Sequence, residues 1–275
     1  MTSNLVFNSP RLQIFAVPQA QDNYAWVIHD VGRARAALVD GVESGSLLRL
    51  AQEKKFVFDT IFNTHHHGDH VGANHGLAEY LEDNGSSFQV FGGKYDHSRR
   101  RIPLQNQVVK DGDTISLGLF SIRVLEIPGH TLGHLGYLLE DHLFCGDTVF
   151  MAGCGRLFEG SPEQMYSSIH DKIASLAPQT RLYPAHEYSL ANMRFALFLQ
   201  SSLKNRDRVA ELESRLSKTG LTLPTTIQEE WDFNPFFRVA NPEYRDALDA
   251  LTDQEKGDPV LAFARVRAFK DGFRG

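Results

Sequence analysis

The chain has 275 residues, of which 42% are hydrophobic and 23% charged; 28 Lys plus Arg stand against 34 Asp plus Glu, a net charge of −6, and there are only two cysteines. Such a composition excludes collagen-like, coiled-coil and disordered chains and calls for a substantial core, while the negative balance disfavours a nucleic-acid partner. Two cysteines rule out a disulfide framework, no secretory leader is legible, and no run approaches the ~18 to 20 apolar residues of a membrane span. The expectation is a soluble, cytoplasmic monomer with neither a nucleic-acid nor a membrane partner.

Short β-runs dominate the first half, at 12–17, 24–29, 36–39, 56–62, 88–91, 114–117, 120–127, 135–139 and 142–144, each rich in Val, Ile, Leu, Phe or Tyr. Helical spacing appears between them at 44–54 and 74–82, and again at 161–176, where Ser161, Pro162 and Glu163 form a cap, a first-turn proline and an acidic first turn. Strands interleaved with helices suggest two packed sheets with helices outside. After Tyr188 the texture turns helical, at 190–203, 204–218, 241–252 and 258–269. Two domains are expected, 1–187 and 188–275, with the aromatic stretch from Trp231 to Phe237 packing between them.

The 12 histidines are unevenly spread. Directly after the run 56–62 come His65, His66, His67, Asp69 and His70. Imidazole and carboxylate are the usual donors to zinc and related divalent ions. Alternation along an extended segment lets His65 and His67 share a face while His66 points away, and Gly68 lets Asp69 and His70 turn toward a second ion. Further donors sit beside Gly or Pro where other runs end: His130 and His134, Asp147, and His186. The simplest allocation gives His65, His67 and His130 to one ion and Asp69, His70 and His186 to the other. Asp147, with two oxygens, bridges them. His66 and His134 are assigned to packing or to the surroundings of the ligands, and Asp40 to a hydrogen bond with a ligand histidine. Cys145 and Cys154 are expected to be buried and inert.

Residues 64–70 (THHHGDH), 129–134 (GHTLGH), 146–148 (GDT) and His186 together resemble the metallo-β-lactamase fold superfamily of binuclear hydrolases. More narrowly, 152–160 (AGCGRLFEG), 184–188 (PAHEY) and a helical tail with Arg267 and Lys270 resemble the hydroxyacylglutathione hydrolase (glyoxalase II) family. The resemblance implies an α+β fold, an αββα sandwich followed by a helical domain. It also implies two divalent ions, zinc with iron or manganese as the alternatives, and hydrolysis of S-D-lactoylglutathione to glutathione and D-lactate. By the same resemblance Arg156, Phe158, Tyr188, Arg267 and Lys270 contact the glutathione part of the substrate, with Asn192 nearby. Two positions depart from the family pattern: Arg156 stands where Lys is common and Phe158 where Tyr is common, so the cation changes geometry and a hydroxyl is lost. Gly68 replaces a bulkier residue and is expected to leave the metal loop looser.

The chemistry follows from the ions. Water held between two divalent cations ionises near neutral pH, and a thiol of pKa near ~8.5 leaves without strong acid assistance. Asp69 is the candidate catalytic residue, orienting the attacking oxygen. Among Arg265, Arg267, Lys270 and Arg274 the only acid is Asp271, and Arg267 and Lys270 share a helical face suited to the carboxylates of glutathione. The rival readings are another hydrolase of the superfamily, such as a lactonase, another thioesterase, a nuclease or a β-lactamase, and a structural metal site on an interaction module.

Overall fold

Residues 3–83 and 88–274 are described by the computed structural model, and they fall into two units: Met1–Glu126 with Gly133–Gly146, and Ile127–Leu132 with Asp147–Gly275. In the first unit seven strands form one sheet in chain order: β1 (Asn4–Asn8), β2 (Leu12–Gln19), β3 (Asn23–Asp30), β4 (Arg35–Val39), β5 (Val57–Phe62), β6 (Gln89–Gly93) and β7 (Gln107–Val109). β1 to β4 pair antiparallel through short turns, and β4 to β7 pair parallel. Parallel neighbours need a crossover, and α1 (Gly45–Lys54) and α3 (Asn74–Asp83) supply two of them; α2 (Gly68–Val71) and α4 (Lys94–His97) are single turns. Leu47, Leu50 and Ala51 of α1 and Leu77 and Leu81 of α3 pack with Phe15, Val27, Leu38, Phe58 and Val90 of the sheet in one buried cluster. Each leucine, valine or phenylalanine among them contributes about 1.5–3 kcal/mol on full burial.

A meander of β8 (Thr114–Leu117), β9 (Phe120–Glu126), β10 (Leu135–Leu139) and β11 (His142–Gly146) completes this unit. It meets the first sheet through rings: Tyr137 of β10 lies 4.9 Å from Phe62 of β5, which lies 5.2 Å from Phe91 of β6. The buried Tyr137 hydroxyl donates to the carbonyl of Asn63 at 2.9 Å. That bond fixes the exit of β5, the point from which the histidine loop departs.

In the second unit β12 (Val149–Phe150) and β13 (Gly153–Cys154) form a small hairpin, and β14 (Arg181–Pro184) pairs with β15 (Thr225–Thr226). The helices are α5 (Pro162–Ser167), α6 (Ser189–Leu199), α7 (Leu203–Thr219), α8 (Ile227–Phe233), α9 (Pro235–Arg238), α10 (Pro242–Asp246), α11 (Asp253–Gly257) and α12 (Pro259–Gly272). α5 opens with the expected cap: the Ser161 hydroxyl accepts from Gln164 N and the Gln164 side chain returns the bond, with Pro162 in the first turn. Among the described residues no helix is long and apolar enough to cross a membrane.

The structure corrects several expected boundaries. The helix expected over 161–176 is α-helical only to Ser167 and then widens to π geometry over Ser168–Ile173, with Ala174 N bonded five residues back to Ile169 O. Apolar spacing carried the expected helix at 190–203 across a real break, because Ser202 caps a new helix by accepting from Asn205 N. Of the stretch 241–252 only α10 is helical. The strands β1, β7, β12, β13, β14 and β15 are short or polar and gave no clear run. The aromatic stretch packs across the 187/188 boundary as expected, with Trp231 5.9 Å and Phe237 6.1 Å from His170, and also within the C-terminal part, with Phe236 5.2 Å from Phe263.

Candidate metal centre

β4 and β5 run parallel with a register shift between Ala36 and Ala37, beyond which Val39 stands opposite Phe62, so their C-terminal ends lie side by side. The chain leaves β4 at Asp40, a buried residue with left-handed φ of 54°. It leaves β5 through Asn63 and Thr64 into the histidine loop. The Asp40 carboxylate therefore reaches across: Oδ1 accepts from Thr64 N at 2.8 Å, and Oδ2 accepts from Thr64 Oγ1 at 2.7 Å and from His70 Nδ1 at 2.9 Å. This is the contact expected of Asp40.

These bonds decide where the histidine protons sit. His70 donates from Nδ1 to the Asp40 carboxylate, which makes Nε2 the unprotonated ring nitrogen. Thr64 spends its one hydroxyl proton on Asp40, so its oxygen is the acceptor for His65 Nδ1 at 3.0 Å. In His65 too, Nε2 is then the unprotonated nitrogen. That nitrogen lies 2.9 Å from His67 Nδ1, close enough to share a proton or an ion, and the ligand atoms of His65 and His70 are within 4.8 Å of each other. Asp69 Oδ2 lies 3.5 Å from His70 Nε2 and accepts from the Asn23 amide at 2.9 Å. His66 points elsewhere, its Nδ1 3.3 Å from the fully buried Asp96. His134 stacks on His65 with centroids 4.7 Å apart. His66 thus turns to Asp96 and His134 packs on His65, the surroundings expected of them. Gly68 opens α2, and a Cβ there would meet nothing within 4 Å.

The second unit holds the other expected donors. His130 Nδ1 donates to the carbonyl of Arg156 at 2.7 Å, again making Nε2 the unprotonated nitrogen, and that Nε2 lies 3.5 Å from Asp147 Oδ2. His186 Nε2 lies 3.5 Å from the same oxygen. One carboxylate oxygen thus faces two imidazole nitrogens. Two ligands on one tetrahedral ion with bonds of 2.0–2.2 Å stand about 3.3 to 3.6 Å apart, which is the spacing of these pairs and of Asp69 with His70. The donor types, the unprotonated nitrogens and the spacings fit divalent ions.

The expected substrate-binding residues lie in this unit as well. Tyr188 stacks on His186 at 4.8 Å and 6°, and the Phe158 ring, 61% exposed, lies 5.1 Å from His130. Arg156 is exposed, with Nε 3.8 Å from Asp271 Oδ1. Arg267 is buried instead: Nη1 donates to Cys154 O at 2.7 Å and Nη2 to Asp271 Oδ1 at 3.1 Å, tying α12 to β13. Lys270 donates to Ala191 O at 3.2 Å and faces the rings of Phe195 and Phe273; burial first, then the Arg267 guanidinium, push it down to about 8. Both cysteines are free and buried, and burial pushes the Cys154 thiol up to about 11, so it is inert at neutral pH.

Sequence reading missed Asn23 and Asp96. Their partners lie 46 and 30 residues away, and nothing local to either residue marks it.

A profile described as the metallo-beta-lactamase superfamily matches residues 20–186, and the chain belongs to that superfamily. A second, described as the hydroxyacylglutathione hydrolase C-terminus, matches residues 187–273. Hydroxyacylglutathione hydrolase from Methylococcus capsulatus is 39% identical over 267 residues, covering 96% of this chain and all of that protein; the one from a Synechococcus species is 41% identical over 265 residues, covering 95% and all of it. Within the superfamily, this chain is a member of the hydroxyacylglutathione hydrolase family. Among solved structures, ETHE1 from Myxococcus xanthus superimposes with a TM-score of 0.61 at 26% identity, covering 98% of both chains. The fold is the metallo-β-lactamase fold with a helical C-terminal region, as the sequence resemblance implied.

Proposed function

We propose that this protein hydrolyses S-D-lactoylglutathione and related 2-hydroxyacyl glutathione thioesters to glutathione and the free acid. In this reading His65, His67 and His130 would hold one divalent ion and Asp69, His70 and His186 the other, with Asp147 a ligand shared by the two; zinc would be the metal, with iron or manganese able to replace it. When bound, such a pair supplies hydroxide at neutral pH and Lewis acidity toward the thioester carbonyl. The observation that carries the reading is the hydrogen bonding of His65, His70 and His130, each of which meets an oxygen through Nδ1, the arrangement that makes Nε2 the unprotonated nitrogen a metal needs.

The chain's own groups do the rest. Asp69, held by the Asn23 amide, orients the attacking oxygen. The thiolate leaves without a strong acid, since a thiol ionises near ~8.5. The tripeptide is held by cations, Arg156 and Lys270 with Arg267 behind them, and by the rings of Tyr188 and Phe158. Residues 1–187 carry the chemistry and 188–275 most of the recognition. A monomer in a reducing cytoplasm fits the two free cysteines, and the charge of −6 disfavours nucleic acid.

The test is turnover of S-D-lactoylglutathione beside a lactone and a β-lactam, before and after chelation. Preferred cleavage of the thioester, lost on chelation and restored by zinc, iron or manganese, is expected. Full activity in protein verified free of metal, or faster cleavage of the lactone, would refute the reading.

Lys270 adds a pH dependence. It is charged below about 8 and neutral above, so its attraction for a substrate carboxylate is present at neutral pH and lost as pH rises. KM is expected to climb through this range. Lys270→Arg, which stays charged, is expected to flatten the climb, and an identical KM profile in both proteins would exclude Lys270 from binding.

A further inference from the structure

Glu230 of α8 is 1% exposed and lies outside the metal and substrate residues. A buried carboxylate without a cation is costly unless its oxygens are fully used. Here they are: Oε1 accepts from Thr225 Oγ1 at 2.6 Å, and Oε2 accepts from Asn234 Nδ2 at 2.7 Å and from Ala152 N at 2.9 Å. Burial still pushes the acid up to about 7. The contact with Ala152 is the informative one. Ala152 sits at the tip of the β12–β13 hairpin with φ of 55°, a left-handed backbone that a residue with a Cβ adopts only when its surroundings impose it.

The neighbouring peptide groups of that tip are also held by buried side chains. Asn234 Nδ2 donates to Gly153 O at 2.9 Å, and Asn192 Nδ2 donates to Met151 O at 3.1 Å. The hairpin connects Asp147 to Arg156. Gly155, at its end, packs so tightly that a Cβ would collide with Asp147 O and come within 3.1 Å of His130 Nδ1. The next carbonyl, that of Arg156, accepts the His130 Nδ1 proton. The Arg156 carbonyl and Phe158 N stay tied to His130, so a shift of the hairpin tip is taken up by the side chains of Arg156 and Phe158.

We propose that Glu230 and Asn234 are positioning residues that clamp the 150–154 hairpin and so set the place of Arg156 and Phe158 for the glutathione part of the substrate. The proposal rests on the functional reading above. Replacing Glu230 by leucine removes the acceptor for Ala152 N and leaves a strained tip unsupported. Glutamine keeps one oxygen toward Ala152 and Asn234 and turns its amide to Thr225 Oγ1, which can accept.

The probes are S-methylglutathione, which has no thioester to cleave, S-D-lactoylglutathione, and an N-acetylcysteamine thioester that lacks both glutathione carboxylates. In Glu230→Leu the Kd for S-methylglutathione and the KM for lactoylglutathione are expected to rise about tenfold, with kcat within about twofold of wild type. KM for the short thioester stays unchanged, and Glu230→Gln restores both glutathione values. A lowered Tm with unchanged Kd and KM would overturn the proposal, since a structural role alone reduces the folded fraction and not the affinity of what remains folded. Should Glu230→Leu not fold, Asn234→Ala takes the same measurements, with a weakened Kd expected and an unchanged Kd overturning the clamp. The Kd needs no turnover, so a wild-type protein that binds S-methylglutathione without cleaving the thioester refutes the functional reading and leaves the clamp to be judged on binding.

Discussion

Asp147→Ala is expected to lower kcat for thioester hydrolysis by about a thousandfold or more, because the several kcal/mol that a correctly held ion contributes convert at one decade per 1.36 kcal/mol. Asp147 Oδ2 faces His130 Nε2 and His186 Nε2 at 3.5 Å each, so its loss removes the carboxylate that stands beside both imidazoles. Metal content, read by elemental analysis after gel filtration, is expected to fall below two ions per chain. Asp147→Asn separates charge from shape: the amide keeps one oxygen donor and cannot bridge, so it too is expected to hold fewer than two ions. A variant that keeps both ions and stays within about tenfold of wild type would show that Asp147 is not the shared ligand.

The second large effect is at Asp40, which touches no ion. Its carboxylate accepts three bonds, from Thr64 N, Thr64 Oγ1 and His70 Nδ1. Asp40→Ala leaves buried donors without acceptors, at about 1–3 kcal/mol each, and releases two ligand histidines from their tautomers. Metal affinity is expected to fall about 10- to 100-fold, measured by competition with a chromophoric chelator, and the urea midpoint is expected to fall with it. Asp40→Asn is the sharper variant. Its oxygen still accepts from Thr64 N, but its amide meets His70 Nδ1–H donor to donor. The ring escapes by moving its proton to Nε2, the ligand nitrogen. Affinity should then fall more than stability, whereas unchanged affinity in Asp40→Asn would show that the His70 tautomer is not set here.

Much of this was legible because local rules act locally. Alternation and β-branched runs marked the long central strands, where both faces are buried, as in β3, whose eight residues are all buried. Helical spacing marked α1 and α3, which cover a sheet. The ligand set was readable because its donors stand beside Gly or Pro at strand ends, and four of them fall within residues 65–70. Two-residue strands such as β12 and β15 carry no periodicity and exist only through what they pair with. Asn23, Asp96, Asn234 and Glu230 matter through partners 30 to 81 residues distant, and a single sequence holds no trace of such pairings. Arg267 illustrates a different limit. Its charge and helical face suggested a surface contact, but the fold turns its guanidinium inward to Cys154 O and Asp271.

Anomalous diffraction from crystals of the protein grown with its metal is the most direct test of the paired centre. The expected map has two ions per chain about 3.5 to 4 Å apart, with the Asp147 carboxylate between them, His130 on one and His186 on the other. A single ion, or two that both leave Asp147 unbound, would contradict it.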